Sequence, residues 1–400
     1  MRLGYVWDCE YPWDVRTEKV CAALAAAGHD VHILARNRER APLAEARAEG
    51  MVHRMAPLPW LGRRLDRATS FPAFFNPRWA RHVLGVARRA GVELLAVRDL
   101  PLAPTALWAG RRLRIPVVID MAENYPAMIR ETWDAGRQGP LDVLVRNPSA
   151  VEAVERWALP RADRVLVVVE ESAERIRALG VRPERIAVVS NTPPLERVQA
   201  PPRPARDRAA PLELVYLGLM EVARGVADVL RAVRILRDRG EAVRLRLIGA
   251  GRDLPLFQSL AAELGLGPES VRFLGQLPHA DALRLTGEAD AGVVPHHADD
   301  SWNTTIPNKL FDYMALGLPV VSSDAAPCAR VLRETGAGVV FRSRDAASLA
   351  DAVAPLREPE RRARLGAAGR AAILARYHWE RDARVLVETL EAAAASGARR

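Results

Sequence analysis

Only two lysines, Lys19 and Lys309, accompany 56 arginines in this 400-residue chain. Arginine is a wide planar fork, whereas lysine is a compact point charge that fits a tight phosphate pocket. Lys309 lies in a stretch that reads as a short helix feeding a strand. Pro307 suits the first helical position, where its missing N–H costs nothing. Leu310, Phe311 and Met314 recur at helical spacing, and Gly317 and Pro319 end the helix. Leu318 to Ser322 then reads as a buried strand. Such a helix aims its free N–H groups and positive dipole end at the loop from His296 to Ile306. A lysine in that first turn is unfavourable unless an anion sits beside it. Asp312, one turn on, suits a ribose or sugar hydroxyl; the alternative is a solvated helix carboxylate.

Other residues could share this chemistry. Gly218, followed by Arg224-Gly225 at a helix start, offers a turn plus a cation, as a diphosphate requires. Gly249 and Gly251 also follow a strand, without a full dinucleotide fingerprint. In the first half, Asp8, Trp13, Asp14, Arg16 and Lys19 crowd the loop after the first strand. Arg98 and Asp99 follow the Glu93–Val97 strand. Asp120, Glu123, Asn124 and Tyr125 follow the strand at 117–119. All three groups fall at carboxyl ends of expected strands and should converge; singly, each carboxylate is equally suited to capping a helix. His296 and His297 are adjacent and cannot easily face one ion, so no metal is expected.

The elements that must position these residues alternate between strand and helix, as in a parallel, doubly wound α/β sheet. Arg2–Trp7, Asp30–Ala35, Glu93–Val97, Val117–Ile119, Val165–Val169 and Ile186–Val189 are strand candidates in the first half. A proline-rich linker follows over 193–212. The pattern then restarts, with strands at Leu214–Leu217, Arg244–Ile248, Val271–Leu274 and Ala291–Val294. The expectation is two Rossmann-like domains, 1–192 and 213–376, facing a central cleft, with a last helix in 377–400. Ligands in such sheets bind beyond the carboxyl ends of the strands.

Bulk properties bound the class. A 49% apolar, 27% charged composition is that of a globular protein. Three scattered cysteines fit a reducing compartment, and no run is long enough to span a membrane, so a cytoplasmic protein is expected. Residues 51–115 carry 12 arginines against Asp66, Glu93 and Asp99, which equals the net charge of +9. Aromatics interleave with arginine there, so residues 60–89 suit peripheral contact with an anionic membrane; a solvated basic face is the alternative. No nucleic-acid motif accompanies the charge.

The segment Pro307-Asn308-Lys309-Leu310-Phe311-Asp312-Tyr313-Met314-Ala315, with Gly317 and Pro319-Val320-Val321, resembles the donor-binding signature of family-4 retaining glycosyltransferases of the GT-B fold. So do Asp8 with Tyr11 to Arg16, Gly28 to Val31, Tyr216-Leu217-Gly218 with Arg224-Gly225, Phe273 to Gly275, and Val294-Pro295, nearly end to end. The resemblance implies a nucleotide-sugar donor (UDP- or GDP-sugar) in the second domain and a glycan, lipid-linked or small-molecule acceptor in the first. It implies that the final helix crosses back onto the first domain. Donor contacts would come from Gly218, Arg224, Gly249, Gly251, Thr304, Thr305, Asn308, Lys309, Leu310 and Asp312. Acceptor contacts would come from Asp8, Trp13, Asp14, Arg16, Asp99, Asn124 and Tyr125. Arg224 and Lys309 would stabilise the departing diphosphate, which removes the need for a metal or other cofactor, and Asp120 and Glu123 would stand at the reacting centre. The chain departs from the pattern at Thr304, where the first Glu of E-x7-E falls, at Leu219, and at Ala122, the usual histidine position. Those departures mark a divergent branch. They keep open a sugar-nucleotide epimerase or a catalytically weakened binding subunit.

Overall fold

The computed structural model describes residues 1–12, 14–72, 74–134, 136, 147–198 and 210–397. Trp13 and most of the proline-rich stretch (199–209) lie outside the described residues. The chain divides into two compact units: Met1–Ser190 with Asp382–Arg400, and Asn191–Arg381. The last helix, Trp379–Gly397, therefore begins in the second unit and continues in the first. There the His29 ring meets Glu391 at 3.3 Å.

The first unit holds β1 (Arg2–Val6), β2 (Asp30–Ala35), β3 (Ala44–Arg47), β4 (Gly50–Arg54), β5 (Leu94–Arg98), β6 (Val117–Met121), β7 (Arg164–Val167) and β8 (Ile186–Val188). Their order is β3-β4-β2-β1-β5-β6-β7-β8. All neighbours are parallel except β3 with β4. The second unit holds β9 (Leu212–Leu217), β10 (Val243–Ile248), β11 (Val271–Gly275), β12 (Ala291–Val294), β13 (Val320–Ser323) and β14 (Gly338–Phe341). Their order, β11-β10-β9-β12-β13-β14, is parallel throughout. Both sheets are thus doubly wound, as the alternation of elements implied.

The sequence explains the layering. A parallel sheet is covered by helices on both faces, so its strands are apolar runs rather than alternating ones. Every residue of β5, β6 and β12 is buried. Helices close with local devices. Asn76 accepts from the N–H groups of Arg78 and Trp79 (2.8 and 3.3 Å), Pro77 opens the helix Pro77–Ala90, and Gly91 ends it in a left-handed turn. The buried face of that helix places Trp79, Val83 and Val86 in the core.

Each sheet reverses direction once. In the first, the chain leaves β1 for β2 on one side and returns to β5 on the other; in the second, β9 stands between β10 and β12. The crevice outside the carboxyl ends at such a reversal is where doubly wound sheets bind ligands. Several boundaries differ from expectation by one to two residues because strand ends are set by pairing rather than by side-chain type. The β3–β4 hairpin had no counterpart among the expected strands. Pro307 stands just before the helix Asn308–Ala315, in an extended conformation (ψ 138°), rather than inside it.

Candidate functional site

In the second unit the reversal brings together the carboxyl ends of β9 and β12 and the start of the helix Asn308–Ala315. No side chain caps that start. Lys309 is 6% exposed. Its Nζ lies 3.7 Å from the centre of the Tyr216 ring and makes no hydrogen bond. Burial first, then Arg224, pushes its pKa well below the ordinary lysine value, while Asp312 works in the opposite direction. A buried ammonium held against an aromatic face and lacking an acceptor is costly until an anion arrives.

Neighbouring groups shape this spot. Gly218 has φ 141°, and a Cβ there would lie 2.7 Å from Lys309 Nζ, so only glycine leaves the approach open. Tyr216 is fixed through its hydroxyl, which donates to the Leu219 carbonyl at 2.7 Å. The Arg224 guanidinium lies 5.4 Å from the Trp302 ring centre, with Nε 3.5 Å from Glu221. On Trp302 in turn packs His296, with ring centres 4.1 Å apart. His296 is fully buried and neither ring nitrogen has a hydrogen-bond partner. Burial, then Lys309 and Arg224, lowers its pKa well below the ordinary value. Gly225 (φ 72°) ends this turn, and a Cβ there would overlap the Pro295 carbonyl.

The expected donor residues differ in exposure. Leu310 is fully buried among core side chains, so its side chain is not a ligand contact. Its N–H donates to the Pro307 carbonyl at 3.1 Å. Gly249 and Gly251 abut the backbone of Gly218 and Met220, which lets the two loops lace together through Gly218 N–H to Ile248 O and Met220 N–H to Ala250 O, both 2.9 Å. Both glycines allow this close approach of the two backbones. Thr304 Oγ1 donates to the Asp300 carbonyl at 2.9 Å, and Thr305 is 9% exposed. Asn308 is exposed at the helix start, and Asp312 lies partly exposed one turn on.

In the first unit the expected groups do converge, but largely on each other. Asp120 is fully buried. It accepts from the Tyr5 hydroxyl at 2.8 Å and from Arg16 Nε and Nη2 at 3.1 and 2.6 Å. Arg16, 4% exposed, also donates to the Val189 carbonyl at 2.9 Å. Burial alone would raise the Asp120 pKa, yet Arg16 and Arg98 outweigh it and hold the carboxyl below its ordinary value. Asp120 therefore stands beneath the surface, with its oxygens engaged by Arg16 and Tyr5. Asp14 caps the first helix, accepting from Thr17 N–H at 2.7 Å, which is the capping role weighed for it above. Asn124 likewise accepts from Ala127 N–H at 3.3 Å. Asp99, in a left-handed conformation (φ 55°), pairs with Arg98 at 3.1 Å and accepts from Ala122 N–H at 2.8 Å. Burial, with Glu123 and Asp120 adding, pushes its carboxyl up to about 7. Burial also raises Asp8, against the pull of Arg98 and Arg36. Glu123 and Tyr125 lie nearer the surface. Among the described residues, no group of three His, Cys, Asp or Glu side chains could hold a metal ion.

A glycosyl transferase 4-like domain matches residues 14–192, and a glycosyl transferases group 1 domain matches 211–358. The chain belongs to the GT-B glycosyltransferases. It is 26% identical to a glycogen synthase of Mycobacterium tuberculosis, over 90% of this chain and 85% of that protein. It is 25% identical to a phosphatidyl-myo-inositol mannosyltransferase of the same species, over 100% of this chain and 99% of that one. Among solved structures, the sucrose-phosphate synthase of Thermosynechococcus elongatus superposes with a TM-score of 0.77 at 18% identity, covering 99% of both chains. The Anabaena protein HepE in complex with UDP-glucose superposes with a TM-score of 0.72 at 16% identity, covering 98% of this chain and 100% of that one.

Within this glycosyltransferase, Trp302 and the inward face of His296 were not foreseen as parts of the site. His296 had a signal, its place at the end of a buried strand directly after Pro295. Trp302 had none, because its contact with Arg224 depends on how the loop from 295 to 307 folds.

Proposed function

We propose that this glycosyltransferase transfers a sugar, with retention of anomeric configuration, from a nucleotide-sugar donor to an acceptor hydroxyl. The buried, unpartnered Nζ of Lys309 carries the reading. A donor diphosphate placed there meets Lys309, Arg224 and the open end of the helix Asn308–Ala315. Charge builds on the diphosphate as the glycosidic bond breaks, and fixed cations in a water-poor site stabilise it strongly. These groups supply the positive charge that a divalent ion provides elsewhere, so the transfer is read as metal-independent. The acceptor hydroxyl attacks the face the diphosphate leaves, and a diphosphate oxygen takes its proton. HepE, crystallised with UDP and with UDP-glucose, supports UDP as the first nucleotide to test.

The test is a melting-temperature screen with UDP, GDP, dTDP and ADP, followed by turnover of the sugar nucleotide that responds. A ligand that binds only the folded state raises its apparent stability. Lys309→Ala should abolish the shift and lower turnover at least about tenfold, roughly 1.4 kcal/mol. Unchanged kinetics would remove Lys309 from the site. Diphosphate release should require acceptor; sugar-nucleotide interconversion without acceptor would instead indicate an epimerase.

We also propose peripheral attachment to an anionic membrane at its cytoplasmic face. Trp60, Leu65 and Phe75 are exposed at 77%, 57% and 51%, beside the exposed Arg63 and Arg64. Exposed apolar side chains with arginines near in sequence suit a lipid surface. No helix among the described residues is long and apolar enough to cross a membrane.

A further inference from the structure

A second group of cations lies in the first unit, away from the Asp120 cluster. Arg36 directly follows β2, at the carboxyl edge of the sheet. It is 6% exposed and rigidly held: Nε donates to Ser70 Oγ at 3.2 Å, Nη2 donates to the Arg67 carbonyl at 2.7 Å, and the guanidinium lies 5.8 Å from the Phe71 ring centre. Burial, then Arg38, lowers its pKa. Arg36, Arg38 and Arg67 line one cavity of about 440 Å³ with Glu39, Ala68 and Phe71. Arg38 is tied to Glu10 at 3.1 Å. Neither Arg36 nor Arg67 forms an ion pair among the described residues.

This arrangement is uneconomical for a merely structural purpose. Asp8 and Glu10 act on Arg36 without forming an ion pair with it, and a buried guanidinium so placed loses hydration that its hydrogen bonds to neutral acceptors only partly replace. With Arg38 already tied to Glu10, Arg36 and Arg67 face Glu39 as the cavity's remaining charges, and the planar guanidinium forks match the oxygens of a phosphoryl group. The carboxyl edge of a doubly wound sheet is also where a substrate is expected.

We propose that this cavity binds the phosphoryl group of a phosphorylated acceptor. The word acceptor rests on the glycosyltransferase reading above; the phosphate site itself does not. Two sources share this chemistry, a soluble phosphate ester and a lipid headgroup at the membrane surface.

The probe is inorganic phosphate, titrated calorimetrically into Lys309→Ala protein so that the second unit's anion site is removed. Adding Arg67→Ala or Arg38→Ala should weaken binding at least about fivefold each, the scale of one charge-assisted contact. Both side chains are solvent-exposed, so the melting temperature should not move, whereas Arg36→Gln risks the fold. Flotation with phosphatidylglycerol vesicles then separates the sources. Loss of vesicle binding in Arg67→Ala but not in Arg182→Ala, an exposed arginine outside residues 60–89, assigns a lipid headgroup; retained vesicle binding alongside lost phosphate binding assigns a soluble ester. Equal phosphate affinity with and without Arg67 and Arg38 would overturn the proposal. UDP binding by protein with Lys309 intact reports separately on the donor reading.

Discussion

The two sheet reversals use their charges in opposite ways. At the first, Asp120, Arg16 and Tyr5 satisfy one another, and Arg98, whose Nε and Nη1 make no hydrogen bond, is charge-paired with Asp99. At the second, Lys309 Nζ and both nitrogens of His296 are buried without hydrogen bonds. The same fold therefore builds one cluster whose charges are paired without a ligand and one whose cation a ligand must pair. A completed buried network rigidifies its surroundings, whereas an uncompleted one stores an unfavourable desolvation that an incoming anion relieves.

The largest expected effect tests the completed cluster. Asp120→Ala leaves Arg16 buried and charged with only the Val189 carbonyl and its remaining neighbours. Breaking a buried pair from one side costs roughly 3–5 kcal/mol. Chemical denaturation followed by a probe in the first unit should show that loss, and the double change Arg16→Leu with Asp120→Leu should recover part of it. A loss below about 1 kcal/mol for Asp120→Ala would mean the pair is well solvated and the contrast between the two sites is false.

The contrast also explains what could be read in the sequence. The two doubly wound sheets were legible because buried parallel strands are uninterrupted apolar runs, as in Leu94 to Val97. The β3–β4 hairpin was not: Ala-Glu-Ala-Arg is mostly exposed at the sheet edge and carries no apolar pattern. Lys309 was legible as a rare residue type placed in a helix's first turn. The fate of Asp120 and Arg16 was not, since residues 104 positions apart declare their partnership only once β6 and the first helix pack. Residue type and strand-end position identified which groups gather; only packing decided which of them remain available.

A smaller effect, of opposite sign, tests the incomplete cluster. Lys309→Met replaces a buried cation by an apolar chain of similar length. It should raise the stability of the unliganded protein by about 1–3 kcal/mol while diphosphate binding fails. The advantage should depend on pH. Lys309 has its folded pKa well below the unfolded value of 10.5. Between those two values the unfolded chain holds a proton that the folded protein has lost, so wild-type stability climbs with pH. The benefit of methionine is therefore full below the folded pKa and fades as pH rises toward 10.5. A pH-independent difference would indicate that Lys309 keeps its proton on folding.

The smallest signal is a fraction of one proton. A diphosphate beside Lys309 favours its charged form, so binding should draw a proton from solution wherever the free protein has lost it. Calorimetry of UDP binding in two buffers of different ionisation enthalpy reads this directly, with uptake between zero and about one proton for the wild type. Lys309→Met, measured at higher UDP concentration, should take up markedly less. Equal uptake in the two proteins would place the proton on another group and leave Lys309 as a fixed charge. The Asp120 carboxylate offers no such exchange, because Arg16 and Arg98 already hold it ionised. Proton uptake on anion binding thus separates the unpaired Lys309 from the paired Asp120.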